Sequence, residues 1–91
     1  MKFGQLYFSK EVTQIIDNNI TFSRFIVKSL EKYGMNDWGN LCDEDKEVND
    51  LAIQKKNGRV IAKYNHKRDI YIITDIQENQ RHTTVKFCDE Y

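Results

Sequence analysis

Cys42, Cys88, His66 and His82 are the residues of this chain whose types could support nucleophilic chemistry. A thiol becomes a nucleophile when an imidazole within hydrogen-bond reach takes its proton, so Cys42 with His66 or His82 is the arrangement to consider. It carries little specificity, because with two of each residue type some such pair can always be drawn. A half-buried thiol and a solvated imidazole account for the same residues. Asp43, Glu44, Asp45, Glu47 and Asp50 form an acidic run, but carboxylates hold Mg²⁺ when they converge from separate elements. These come from one short segment, where helix capping explains most of them. The chain has no phosphate-cradling glycine loop, no cysteine pair at zinc spacing and no HExxH helix. The reading is therefore of no catalytic residues, no metal and no cofactor.

Whatever the chain does is done on one small domain, 1–91. At this size folding buries roughly 60–65% of the unfolded surface, and a large interior pocket is not expected. Hydrophobic residues at 40% suffice for a core, while 31% charged residues with zero net charge give an ordinary polar surface. Apolar runs are too short for a bilayer span, and the N-terminus lacks the basic and apolar regions of a signal peptide. The expectation is a cytoplasmic protein with no membrane contact, its two cysteines reduced.

The elements that must position any site read as strand, three helices, then three strands. Phe3 to Phe8 is aromatic-rich and suits a first strand, weakened by Gly4. Ser9 is a helix N-cap, and Lys10 to Asp17 places Val12, Ile15 and Ile16 on one face before Asn18-Asn19. Thr21 is the expected cap of the next helix, in which Phe22, Phe25, Ile26, Ser29, Leu30 and Tyr33 make a buried stripe ended by Gly34. Asp43 is the expected cap of a third helix running to about Lys56, with Gly58 as its stop. Acids in its first turns and Lys55 and Lys56 in its last complement the helix dipole. Val48, Leu51, Ala52 and the Lys55 stem give it a thin stripe, placing it over the edge of the core.

From Arg59 the period becomes two. Val60 to Tyr64, Ile70 to Ile76 and Arg81 to Cys88 are strands, joined by a loop over Asn65–Asp69 and a turn over Gln77–Gln80. Short connections make them an antiparallel meander. Ile70-Tyr71-Ile72-Ile73-Thr74 is apolar on both faces, which predicts a central strand with something covering each side. The fold class is α+β, β-α-α-α-β-β-β, with helices packed on an antiparallel sheet. Whether the first strand joins that sheet is left open.

Charge divides along the chain. Asp43 to Asp50 holds five acids against Lys46, whereas Lys55, Lys56, Arg59, Lys63, Lys67 and Arg68 follow with no acid among them. The basic stretch could meet nucleic-acid phosphates, and the acidic helix a basic surface on a protein partner. Between Asn36 and Asn40 the single tryptophan, Trp38, sits in a polar turn. Burying such a side chain removes on the order of 150–250 Å² from water. It either plugs the open edge of the sheet, with Asp37 and Gly39 making its turn, or is held out for a partner.

The run Asp37-Trp38-Gly39-x-Leu41-Cys42-x-Glu44-Asp45-Lys46, then Asn49-Asp50, Gly58-Arg59, Tyr71-Ile72-Ile73-Thr74, Thr83-Thr84-Val85 and the closing Glu90-Tyr91, resembles a family of small proteins carried by bacterial plasmids, phages and conjugative elements. Its members are usually labelled plasmid-related, and at times as a subunit of a type I restriction enzyme. This chain has Tyr71 where the typical pattern has tryptophan, and lacks the pattern's proline near Cys88. A methylase or nuclease role is not expected of 91 residues without a cofactor loop. The resemblance implies a mobile-element setting more than an activity; with the small size, the acidic helix and the lack of catalytic residues, the expectation in that setting is a protein that blocks a host defence complex, an anti-CRISPR or anti-restriction inhibitor, by direct binding. Asp37, Trp38, Asp43, Glu44, Asp45 and Glu47 are the residues expected to meet that partner. The alternative is a small nucleic-acid-binding or regulatory module using the basic stretch 55–68.

Overall fold

A computed structural model describes residues 1–78 and 80–90; Asn79, in the expected turn over Gln77–Gln80, and Tyr91 lie outside the described residues. The chain order is β1 (Gln5–Phe8), α1 (Lys10–Asn18), α2 (Ile20–Gly34), α3 (Asp43–Lys55), β2 (Asn57–Tyr64), β3 (Ile70–Gln77) and β4 (Gln80–Phe87). This is the α+β order expected from the sequence, and no helix among the described residues is long and apolar enough to cross a membrane.

Ser9 caps α1, its hydroxyl accepting the Val12 N–H at 3.2 Å. The cap of α2 is Asn19 and not Thr21: the Asn19 side-chain oxygen accepts the Phe22 N–H at 3.1 Å, so the new helix begins as soon as α1 has ended. Cys42 holds the cap position of α3 without a side-chain bond, and Asp43 is the first helical residue. At the far end Lys56 itself takes the left-handed conformation that closes the helix, φ 54°, so Gly58 falls inside β2. Gly4 bounds β1 at φ 67°, where a Cβ would stand 2.1 Å from the Arg81 carbonyl oxygen, so only glycine allows this approach to β4.

The sheet order is β1-β4-β3-β2. The three later strands form the antiparallel meander, with Ile61 opposite Ile73 and Ile73 opposite Thr84. β1 does join the sheet, on the outer side of β4 and parallel to it, so the sheet is mixed. β3 is an inner strand, but helices cover only one of its faces. On that face Val60, Ala62, Ile70, Ile72, Ile76, Val85 and Phe87 are buried against Val12 of α1 and Phe22, Ile26 and Tyr33 of α2. Each large side chain buried this way contributes about 1.5–3 kcal/mol.

A chain of hydroxyls crosses this core. Tyr33 Oη lies 2.6 Å from Thr74 Oγ1, which lies 2.8 Å from Thr83 Oγ1, and Thr83 donates to the Phe3 carbonyl at 2.6 Å. Because the last link has a fixed direction, Thr74 donates to Thr83 and Tyr33 donates to Thr74, with the Val60 carbonyl a more distant second acceptor for the Tyr33 hydroxyl at 3.3 Å. Burial pushes the Tyr33 phenol well above its ordinary pKa and keeps it a neutral donor.

Candidate protein-binding surface

Trp38 is 3% exposed and meets Tyr33 edge to face with ring centroids 5.4 Å apart, so it belongs to the core and is removed from the residues that could touch a partner. The turn that delivers it is locked on both sides. The Asp37 carboxylate accepts the Gly39 N–H at 3.1 Å, the Tyr64 hydroxyl donates to the Asp37 carbonyl, and the Trp38 carbonyl and the Asn40 N–H both bond the backbone of Lys63. Gly39 has φ 70°, and a Cβ there would stand 2.1 Å from the Lys63 oxygen. Asp37 itself is exposed, with its carboxylate turned back on this loop.

Helix α3 lies along the same edge. Asn49 is buried, and its amide donates to the Ile61 carbonyl at 2.7 Å and accepts the Ile61 N–H at 3.0 Å. A side-chain amide here stands in for the strand that β2 lacks on its outer side. Meeting this demand turns Asn49, Ala52 and Ile53 inward, one position round from the expected Val48 and Leu51, which remain 59% and 48% exposed. Asp43, Glu44, Asp45 and Glu47 are all exposed on the first turns, and none is in an ion pair among the described residues.

Beside α3 the second face of the sheet is open. The register sets three rows across it: Lys63, Tyr71 and Lys86; Ile61, Ile73, Thr84 and Tyr7; and Arg59, Asp75, His82 and Gln5. Ile61, Tyr71 and Ile73 floor a groove of about 390 Å³, walled by Leu41, Asp45 and Val48 on the helix side and edged by Arg59 and Lys86. The apolar character of both faces of β3 was legible in its sequence, but this groove is the feature that residue types alone did not locate.

The basic stretch does not form one surface. Lys55 and Lys56 stand at the start of β2 and Lys67 and Arg68 beyond its end, and eight residues of strand separate them by roughly 25 Å. Arg59 pairs with Asp75 at 2.9 Å. Arg68 bonds Asp89 at 2.7 Å and Glu11 at 2.6 Å and lies 3.8 Å over the Phe87 ring, a position that serves the fold. Lys63 remains, near the end of the outer strand β2 and beside Tyr71 on the open face.

The thiol and imidazole groups are not assembled. Cys42 is exposed at the start of α3, whereas His66 stacks on Phe25 at 4.4 Å and His82 lies against Tyr7 at 6.3 Å, on the strand beyond β3. Cys88 is half-buried, and that burial raises its thiol pKa, opposite to what a nucleophile needs. Among the described residues no three His, Cys, Asp or Glu side chains converge as a metal site would require. Comparison with protein-family models, curated proteins and solved structures gave no match.

Proposed function

We propose that this chain is a non-enzymatic binding protein that uses α3 and the open sheet face beside it to hold a basic surface of a partner protein. The observation that carries the reading is the groove itself: an apolar floor of Ile61, Tyr71 and Ile73 next to a helix whose Asp43, Glu44, Asp45 and Glu47 form no ion pair among the described residues. Apolar contact supplies affinity at such a surface, and unpaired carboxylates around it select a basic partner and speed encounter. In its most concrete form the partner is a host defence complex, and the protein is an anti-CRISPR or anti-restriction inhibitor that occupies a basic nucleic-acid channel. That setting comes from the resemblance of its motifs to the mobile-element family.

The test is a pull-down of the tagged protein from lysates of a bacterium carrying CRISPR and restriction systems, with and without nuclease. One stoichiometric, nuclease-resistant defence complex is the expected result, lost when Glu44, Asp45 and Glu47 are changed to lysine in a variant that keeps its thermal midpoint. Undiminished capture by that variant would sink the reading. A second reading, a nucleic-acid-binding module, draws on Tyr71 standing between Lys63 and Lys86 on the open face. It requires binding to DNA or RNA that weakens steeply with salt.

A further inference from the structure

The two edges of the sheet are treated differently. On β2, Asn49 occupies the free polar groups of Ile61, and the Trp38–Asn40 loop those of Lys63. On β1, all four residues Gln5–Phe8 are exposed and, among the described residues, no element lies beyond them. Natural sheets blunt a bare edge with lysine, proline or a bulge. Gln5-Leu6-Tyr7-Phe8 has none of these and carries no charge.

The hydrogen bonds fix which groups the edge offers. The Ser9 N–H reaches the Val85 carbonyl at 2.9 Å while Phe8 is the residue in register with Val85. In a parallel ladder this turns the polar backbone groups of Tyr7 and Ser9 towards β4 and those of Leu6 and Phe8 outward. The side chains divide by face: Leu6 and Phe8, in register with Thr83 and Val85, lie towards the helix side, and Tyr7, in register with Thr84, lies on the open side.

We infer that β1 is a self-association edge, through which two copies of this chain pair antiparallel about a two-fold axis at Tyr7, joining their sheets into one. In this register Leu6 of each copy faces Phe8 of the other, so their outward N–H and C=O groups bond reciprocally. Tyr7 meets its own counterpart on the axis. A two-fold axis normal to the sheet keeps helix side with helix side, so every outward group and each of the three exposed apolar side chains, 38%, 49% and 38% exposed, gains a partner of matching kind. A second copy fits because the strand is neutral and complementary to itself. A four-residue strand buries less than the roughly 1,200–2,000 Å² of a standard interface, so the dimer is weak and forms as concentration rises.

Sedimentation equilibrium of the full chain from micromolar to millimolar concentration tests this, with amide exchange followed by NMR. The expected result is a mass rising from one chain towards two, with the Leu6 and Phe8 amides gaining protection in step. Tyr7→Lys, which sets two ammonium groups face to face at a half-exposed position, abolishes the rise without moving the thermal midpoint, whereas Val27→Lys on α2 leaves it intact. The inference is overturned by a single-chain mass at every concentration, by a dimer that survives Tyr7→Lys, or by Leu6 and Phe8 amides that stay unprotected while mass increases. Because Glu44, Asp45 and Glu47 lie beyond the opposite edge, reversing them leaves self-association unchanged, and the two proposals fail separately.

Discussion

Trp38 and Asn49 do the same work by different means, each closing a part of the β2 edge that has no strand beside it. Trp38→Ala removes a ring packed on Tyr33 in a protein with little core to relax around the hole. The expected loss is about 3–5 kcal/mol of unfolding free energy, read from urea denaturation. Retention of wild-type stability would return the indole to the interaction surface. Asn49→Leu keeps the volume but strands the N–H and C=O of Ile61. It should cost about 1–3 kcal/mol for each group left unsatisfied, with water recovering part of that at an edge. The sequence offers the edge-plugging role for Trp38 as one of two readings, and burial in the core selects it, whereas an asparagine within a helix reads naturally as surface.

At the scale of the element, α3 is the helix whose orientation the sequence misjudges. Hydrophobic periodicity gives Val48, Leu51 and Ala52 an inward face; Ala52 is buried as expected, but satisfying the Ile61 backbone turns Asn49 inward in place of Val48 and Leu51. A polar residue with two bonds to make outweighs two partly buried aliphatics. The consequence is measurable: Val48→Lys and Leu51→Lys should each change stability by less than about 0.5 kcal/mol, whereas Ala52→Leu, against Gly58, should cost about 1–3 kcal/mol by overpacking. Thermal melts of the three variants check the pattern. The same Val48→Lys change, on the wall of the groove, is expected to weaken partner capture in the pull-down. For α1 and α2, by contrast, the stripes through Val12 and through Phe22, Ile26 and Tyr33 face the core as periodicity expects, because apolar burial and the one polar demand there, the Tyr33 hydroxyl on Thr74, point the same way.

Across the whole molecule, Arg68 ties together parts of the chain that are far apart in sequence, gripping Glu11 of α1 and Asp89 beyond β4. The Arg68 guanidinium holds the Asp89 carboxyl below its ordinary value of 3.8, so the contribution of Asp89 to stability is full at neutral pH and is lost as pH falls through that lowered value. Wild type and Asp89→Asn should therefore differ in thermal midpoint at neutral pH and converge only in strong acid; a gap that persists there would assign the effect to packing. Both carboxylates and Arg68 are substantially exposed, so the shift is small and shrinks with added salt. The sequence by itself determined the α+β class, the element order, most of the core and the absence of recognisable catalytic motifs, because capping, period and composition act over a few neighbouring residues. Only the tertiary structure decided that β1 pairs in parallel with β4, that Trp38 is core, that the basic stretch is dispersed, and that one sheet face and one edge stay open. Those outcomes depend on which distant groups satisfy each other's burial and hydrogen bonds, a competition that no local window of sequence contains.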